Sequence, residues 1–424
     1  MKPAFRNSLA LLLVIAFAVR LAAGWVWQSR LDGRFGMGDS ESYWALGLAI
    51  AEGKPYECGP EHARVFRTPG YPILLAPILR LAGDEQIAVL VARAEAALLG
   101  VLAVAGVWWL TRLLFDQRAA LIAAALATFY PGAIALSALI LSEAPFCPLV
   151  LLQLAFWTIA WRTRTPAQTT MFSFCGGLAA GAATLMRPSW LLFTPLAAAV
   201  GLLSHGRNAL LLRHVAIAFW MILGLVTAML PWWVRNACVT GRFVPTTLQV
   251  GASLYDGLNP DATGASNMDF VPRFAAQQRQ EAVEPGGTSN DSFEWRLDRR
   301  LRAEAIAWAE ANPGRAVQLA GVKFLRMWNV WPNEPRLSSW PTGWAVLFTY
   351  TPLLFFAIMG AWRTLDRGWP YILCWLPAVY FTLLHTVFVS SIRYREPAML
   401  ALLALAAGAM LGARGEGRGA RDEG

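Results

Sequence analysis

Apolar runs of roughly 18 to 22 residues, the length that crosses about 30 Å of hydrocarbon as a helix, recur along most of this chain with short charged turns between them. The pattern predicts about ten spans: Leu9–Trp27, Ile87–Leu110, Ala119–Leu139, Ala144–Trp161, Met171–Met186, Trp190–Leu203, Val215–Trp233, Trp344–Met359, Trp369–Val389 and Ala398–Leu411. The fifth and sixth are short enough to merge or re-enter. Two intervening segments, about 28–86 and about 234–343, exceed ordinary loop length. In the first, Tyr43, Leu46 and Ile50 recur at helical spacing between Ser40 and Glu52, with Gly53-Lys54-Pro55 as a stop, which predicts an interfacial helix. Tyr71–Leu81 reads as a second juxtamembrane helix or as the lower part of the second span.

In the second long segment, Gly257, Pro260, Gly264, Pro285, Gly286 and Gly287 predict loops. A helix near Phe293–Ala311 follows, with Leu297, Leu301, Ala305 and Trp308 on one face. Asn312-Pro313 then starts another that runs to about Trp328. Trp328, Trp331 and Trp340 fit an aromatic belt at the return to the membrane. The expected organisation is a membrane core at 1–233 with its first outer loop at 28–86, an extracytoplasmic segment at 234–343, and C-terminal spans with a cytoplasmic tail at 344–424.

Composition agrees with an all-α polytopic membrane protein: the 424 residues are 56% hydrophobic and only 15% charged, against about a quarter charged in soluble domains. A net charge of +9 raises the question of nucleic acid, but the placement of the charges answers it. Lys2 and Arg6, Arg112 and Arg118, Arg162 and Arg164, Arg207 and Arg213, Arg363 and Arg367, and the stretch Arg414–Arg421 all fall on one side if the spans alternate, as the positive-inside rule requires. No nucleic-acid partner is implied. Arg64, Arg67, Arg187, Arg235, Arg393 and Arg395 fall on the opposite, outer side, and an anionic ligand there is the economical explanation. Lys2 and Arg6 before an apolar run ending near Ala22-Ala23-Gly24 look like a signal peptide, but the run is nearly span length and is read as a retained signal-anchor. Cys58 and Cys238 are both expected outside, where a disulfide between them is open. No metal-spaced Cys/His cluster, Walker loop or Gly-x-Gly-x-x-Gly fingerprint occurs, which argues against nucleotide use.

The candidate chemistry lies at the outer membrane surface. Asp39 heads the first outer loop and is either a helix N-cap or a carboxylate that accepts or orients an acceptor proton. Glu143, in Ser142-Glu143-Ala144-Pro145, is a solvated turn residue or a second carboxylate at the same membrane level. Glu41 is the weaker third acid. Guanidinium forks suit a lipid phosphate at headgroup height. Arg393 and Arg395 are therefore read as phosphate or substrate ligands, with an ion pair to Glu396 or snorkelling as alternatives. Arg64, Arg67 and Arg187 join the set, while Arg235 reads as a snorkelling anchor and His385 as a packed histidine. Tyr43, Trp44, Tyr71, Tyr255 and Trp340 are aromatic candidates for a sugar site.

Seven pieces occur in order: Gly38-Asp39-Ser40 with Tyr43, Gly53-Lys-Pro-Tyr56, Arg67-Thr-Pro-Gly-Tyr-Pro72, Ser142-Glu143, Met186-Arg187-Pro188, Pro231-Trp-Trp-Val-Arg235-Asn236 with Gly241, and Arg393-Tyr-Arg395-Glu-Pro397. The series resembles bacterial glycosyltransferases of family 39, in the GT-C superfamily that includes protein O-mannosyltransferases and lipid A aminoarabinose transferases. The resemblance implies a helical membrane body with juxtamembrane helices in the first outer loop. It also implies a polyprenyl-phosphate sugar donor and inverting transfer to a lipid, glycan or protein acceptor on the extracytoplasmic side of the inner membrane. Asp39 then matches the first-loop catalytic aspartate and Glu143 a second acid; Tyr43, Arg64, Arg67, Tyr71, Arg187, Arg393 and Arg395 are the expected substrate ligands. The adjacent Asp-Glu pair of the protein O-mannosyltransferases is missing, which speaks against protein mannosylation. Metal use differs within the superfamily, so a divalent ion stays open. The competing class is a transporter or flippase, which should show internal repeats and ionisable groups near the midplane.

Overall fold

The computed structural model describes residues 3–31, 34–59, 61–204, 209–283, 291–332 and 339–412. Lys2, Arg207, Pro285, Gly286, Gly287 and the Arg414–Arg421 stretch lie outside the described residues. The helices follow the expected order. α1 (Pro3–Gln28) comes first; α2 (Gly38–Ala51) and α3 (Gly70–Leu81) form the loop expected outside, and α4 (Glu85–Leu114) follows. Next come α5 (Gln117–Phe129), α6 (Pro131–Ala138), α7 (Glu143–Arg162), α8 (Pro166–Met186), α9 (Phe193–Leu203) and α10 (Ala209–Thr240). The segment expected outside carries α11 (Val250–Gly257), α12 (Val271–Val283), α13 (Phe293–Ala311) and α14 (Pro313–Trp328), and α15 (Trp340–Arg363), α16 (Trp369–Val387) and α17 (Glu396–Met410) follow.

The chain is a multi-pass membrane protein of helices, but the expected count of ten spans is not reproduced. Among the described residues, α1, α4, α7, α8, α10, α15 and α16 are long and apolar enough to cross, and α5 with α6 makes one more if its 55° bend is bridged. The sixth and tenth expected spans correspond to the shorter α9 and α17. All of α17 except Met410 is buried, so its apolarity serves packing inside the protein. The outer segment also contains two helices, α11 and α12, where the sequence indicated loops. Both are short and lie beside the glycine and proline residues that shaped that reading.

The bend between α5 and α6 has a local cause and a tertiary remedy. Pro131 carries no N–H and disfavours a helical residue before it, so Tyr130 is extended and the last carbonyls of α5 lose their helical donors. Arg20 of α1, fully buried, supplies donors in their place, to Ala127 O at 2.9 Å and Thr128 O at 3.3 Å. Arg93 of α4 does the same at the far end of α6, donating to Ala138 O, and it also donates to the Gln28 side chain at 2.8 Å. Each half of the broken helix thus has its negative end covered by a guanidinium. Leu139, Ile140 and Leu141, all buried, then lead to Ser142 and Glu143 at the start of α7.

Two close approaches fix the other site-bearing ends. At Gly70 a Cβ would stand 2.6 Å from Leu185 O, so the Arg67-to-Pro72 turn presses backbone to backbone on the end of α8. Gly177 and Gly224 let α8 and α10 meet in the same way, with Met221 O 2.1 Å and Phe174 O 2.3 Å from a Cβ added at each. In the outer loop, α2 buries Tyr43, Trp44 and Leu46, and Gly47 lies against Leu75 and Leu79 of α3. α13 and α14 have the expected bounds, joined at Asn312-Pro313.

Replacing Arg20 by Ala strips the donors from Ala127 O and Thr128 O. It should lower stability by about 1–3 kcal/mol, the worth of buried polar groups left unpaired. Thermal unfolding of the detergent-solubilised protein checks this, with exposed Arg6→Ala on the same helix expected to leave the transition unmoved.

Candidate active site

α2 begins at Gly38, with Met37 in the capping position, so Asp39 lies in the first turn and is not the N-cap. Its carboxylate faces two arginines. Arg67 Nη2 stands 2.7 Å from Oδ1 and Arg393 Nη2 stands 3.1 Å from Oδ2. Arg67 also donates from Nε to Ser42 Oγ at 3.2 Å and lies over the Tyr43 ring at 5.2 Å. Glu143, the first residue of α7, is 2% exposed. Its Oε1 is paired with Arg187 Nη1 at 2.5 Å and with Arg393 Nε at 3.0 Å. Ser142 Oγ donates to Glu143 Oε2 at 3.4 Å and accepts from Tyr43 OH at 3.1 Å.

The result is a continuous row, Arg67, Asp39, Arg393, Glu143 and Arg187, with Arg393 bridging the two carboxylates. Three guanidiniums against two carboxylates leave a net charge of +1 on a partly buried surface. Burial alone would raise the Asp39 carboxyl. The facing Arg67 and Arg393 outweigh it and hold the group well below the usual carboxylate range. Burial likewise disfavours the Arg393 cation, but Glu143, Tyr394 and Asp39 push it well above its ordinary value. Tyr394 completes the wall: Arg187 lies 5.6 Å from its ring centroid, and His385 stacks on it at 4.3 Å with Nδ1 at 2.8 Å from Val389 O.

Of the residues read from the sequence, Asp39, Glu143, Tyr43, Arg67, Arg187 and Arg393 come together here. Tyr71 stands one layer behind, buried and edge-on to Tyr43 at 5.4 Å. Arg64 does not join: it is half-exposed and pairs with Glu57 at 2.9 Å. Arg395 turns the other way, lying 3.6 Å over the Tyr350 ring, pairing with Glu396 at 3.4 Å and donating to Met327 O at 3.0 Å and Asn329 O at 2.5 Å. Burial decided this, since the second arginine of the Arg-Tyr-Arg turn points inward. Arg235 ties α10 to the first outer loop through Arg64 O at 3.0 Å. Glu41 pairs with exposed Arg34 at 3.6 Å. Trp44 packs on Phe35, Tyr255 lines a separate cavity, and Trp340 sits in a cluster with Trp331 and Trp344. Cys58 and Cys238 are both free. Sequence reasoning missed Ser42 and Tyr394; the only signal for the tyrosine was its place between two arginines.

The donor set was also tested against a divalent ion. Both Asp39 oxygens and Glu143 Oε1 are taken by guanidiniums. Among the described residues no three His, Cys, Asp or Glu side chains converge on one point. As arranged, these residues do not fit a divalent ion.

This is the fold of the GT-C membrane glycosyltransferases, in agreement with the resemblance carried by the motifs. The chain superposes on the archaeal oligosaccharyltransferase AglB from Archaeoglobus fulgidus, in complex with an inhibitory peptide and a dolichol-phosphate, with a TM-score of 0.60 and 17% identity, over 97% of this chain and 50% of that one. The same enzyme in complex with Zn and sulfate gives a TM-score of 0.54 at 16% identity, over 95% of this chain and 49% of that one. ArnT from Cupriavidus metallidurans bound to undecaprenyl phosphate is less similar, with a TM-score of 0.46 and 15% identity over 95% of this chain and 77% of that one. The chain spans about half the length of the archaeal enzyme. Residues 66–233 match the family described as dolichyl-phosphate-mannose-protein mannosyltransferase, a stretch that includes Arg67, Glu143 and Arg187 but neither Asp39 nor Arg393. No curated protein sequence matches significantly.

The depressed Asp39 fixes a pH signature. Its pairs stabilise the fold fully above the ordinary carboxyl value of 3.8 and are lost only as pH falls through the lower folded value. The stability gap between the protein and Asp39→Asn should stay constant from about pH 8 to about pH 5 and close only on stronger acidification. Denaturation curves across that range test it, and a gap that already shrinks near neutrality would contradict the pairing.

Proposed function

We propose that the chain is a membrane glycosyltransferase that moves a sugar from a polyprenyl-phosphate donor to an extracytoplasmic acceptor with inversion. The observation that carries this reading is the row Arg67, Asp39, Arg393, Glu143 and Arg187, whose surplus cation suits an anionic headgroup. The dolichol-phosphate bound to the archaeal enzyme of the same fold supports a lipid phosphate as that anion. Two arginines that a transporter reading would use, Arg20 and Arg93 within spans, are instead engaged with the backbone at the ends of α5 and α6.

In the reaction the acceptor oxygen or nitrogen forms a bond to the anomeric carbon while the bond from that carbon to the phosphate oxygen breaks. The phosphate leaves with the electron pair, so negative charge grows on it in the transition state. Guanidiniums already held at headgroup level meet that charge without reorganising. Asp39 between two arginines is a weak base at rest. Donor phosphate competes with it for Arg67 or Arg393, freeing a carboxylate oxygen to accept the acceptor's proton. Glu143, buried and doubly paired, keeps Arg187 and Arg393 in place. The site faces the extracytoplasmic side of the inner membrane, and the segment 234–343 selects the acceptor.

Purified protein given radiolabelled polyprenyl-phosphate sugars and an extracytoplasmic membrane extract as acceptor should transfer label. Asp39→Asn and Arg393→Met should each slow transfer roughly a hundredfold to a thousandfold, the worth of a lost transition-state contact. Arg64→Ala should stay within about twofold, as expected of an exposed ion pair worth under about 1 kcal/mol. Full activity in Asp39→Asn would refute the mechanism.

A further inference from the structure

A cavity of about 290 Å³ opens in the outer segment, away from the arginine row, between the end of α11 and the start of α12. That volume is at the lower end of the range for small-molecule sites. Tyr255 and Phe270 form its apolar wall, their rings 4.8 Å apart, and Phe274 supports Tyr255 from behind at 5.1 Å. Two of its polar groups are spent on the loop itself. Asp256 accepts from Ser266 Oγ at 2.6 Å and Asn267 N at 2.8 Å, and Asn259 donates to Tyr255 O at 2.7 Å. On the exposed rim, the side chains of Asp261, Asp269 and Arg273 have no ion-pair or hydrogen-bond partner among the described residues.

We propose that this cavity is a subsite for an uncharged saccharide unit of the acceptor. An aromatic wall matches the C–H face of a pyranose, while two free carboxylates and a guanidinium supply acceptors and a donor for its hydroxyls. Arg315 also reaches the cavity wall, donating to Ala262 O at 3.5 Å, so two carboxylates face two guanidiniums and the cavity lacks the surplus cation of the arginine row. The two sites therefore divide donor from acceptor.

The cavity is also fastened to the arm that bears Arg393. Gly264, in the cavity loop, accepts at its carbonyl from Ser390 N at 2.9 Å, three residues before Arg393. Lys323 of α14, fully buried, donates to Val387 O at 2.6 Å at the end of α16. A saccharide seated in the cavity thus rests on the loop that holds the bridging arginine.

The inference rests on the transferase reading, but its test needs no turnover. Saturation-transfer NMR on the full-length protein in nanodiscs, with methyl glycosides of glucose, mannose, galactose and N-acetylglucosamine, should show binding of at least one glycoside. Asp39→Asn should retain that signal. Tyr255→Ala should weaken it about tenfold, equal to about 1.4 kcal/mol. Asp269→Asn, on an exposed side chain with no protein partner to lose, should do the same even if Tyr255→Ala fails to fold. No signal from the unmodified protein, a signal unchanged in Asp269→Asn, or displacement of the glycoside by calcium alone would overturn the proposal. Glycoside binding that survives while label transfer fails in every form would refute the transferase reading and, with it, the acceptor role, leaving a saccharide-binding cavity only.

Discussion

Arg393 is the one side chain that touches both acids of the site, and the arrangement around it follows from the cost of burying charge. A buried ion left without its partner costs about 3–5 kcal/mol, so a 2% exposed Glu143 requires Arg187 and Arg393 beside it. Asp39, at the start of α2, needs Arg67 and the same Arg393. Five charged groups are thereby drawn from five separate places: the starts of α2 and α7, the turn before α3, the end of α8, and the turn between α16 and α17. Three cations against two anions cannot balance among themselves, and that surplus of charge is what the proposed phosphate ligand would answer.

The backbone imposes a second constraint of the same kind. Where α5 and α6 break, the freed carbonyls lie among buried apolar side chains and are met by guanidiniums from α1 and α4. This explains two arginines within apolar spans without assigning either to transport. The break also lies just before Ser142 and Glu143 in the chain, so a structural repair at the α5–α6 break adjoins a group of the candidate site.

The outer segment belongs to the same mechanical unit. Lys323, Gly264 and the carbonyls of Met327 and Asn329 all hold the stretch from Val387 to Arg395, so the arm that carries Arg393 is braced by the 234–343 segment as well as by its own carboxylates. A loop-borne arginine becomes as well placed as one on a helix. The inward turn of Arg395 is part of that brace.

Much of this was legible in the chain. Apolar runs gave the helices of the membrane body because a span must be long and nearly uncharged, and Asn312-Pro313 marked the α13–α14 junction because proline suits only a helix start. The arginines that broke the positive-inside pattern included Arg67, Arg187 and Arg393, which meet carboxylates because lone cations near lipid are costly. Apolarity alone could not tell a lipid-facing span from a helix such as α17, which is apolar because protein surrounds it, nor see that Pro131 breaks the third run in two. Nor could the Arg-Tyr-Arg motif say which arginine faces the acids, since that depends on what lies on either side of a short turn. The sequence by itself determined which residues must avoid water and which need a counter-charge, since those are properties of side chains and their neighbours along the chain. Only the tertiary structure decided which charge meets which, because Asp39 and Arg393 are brought to 3.1 Å by packing between elements 354 residues apart.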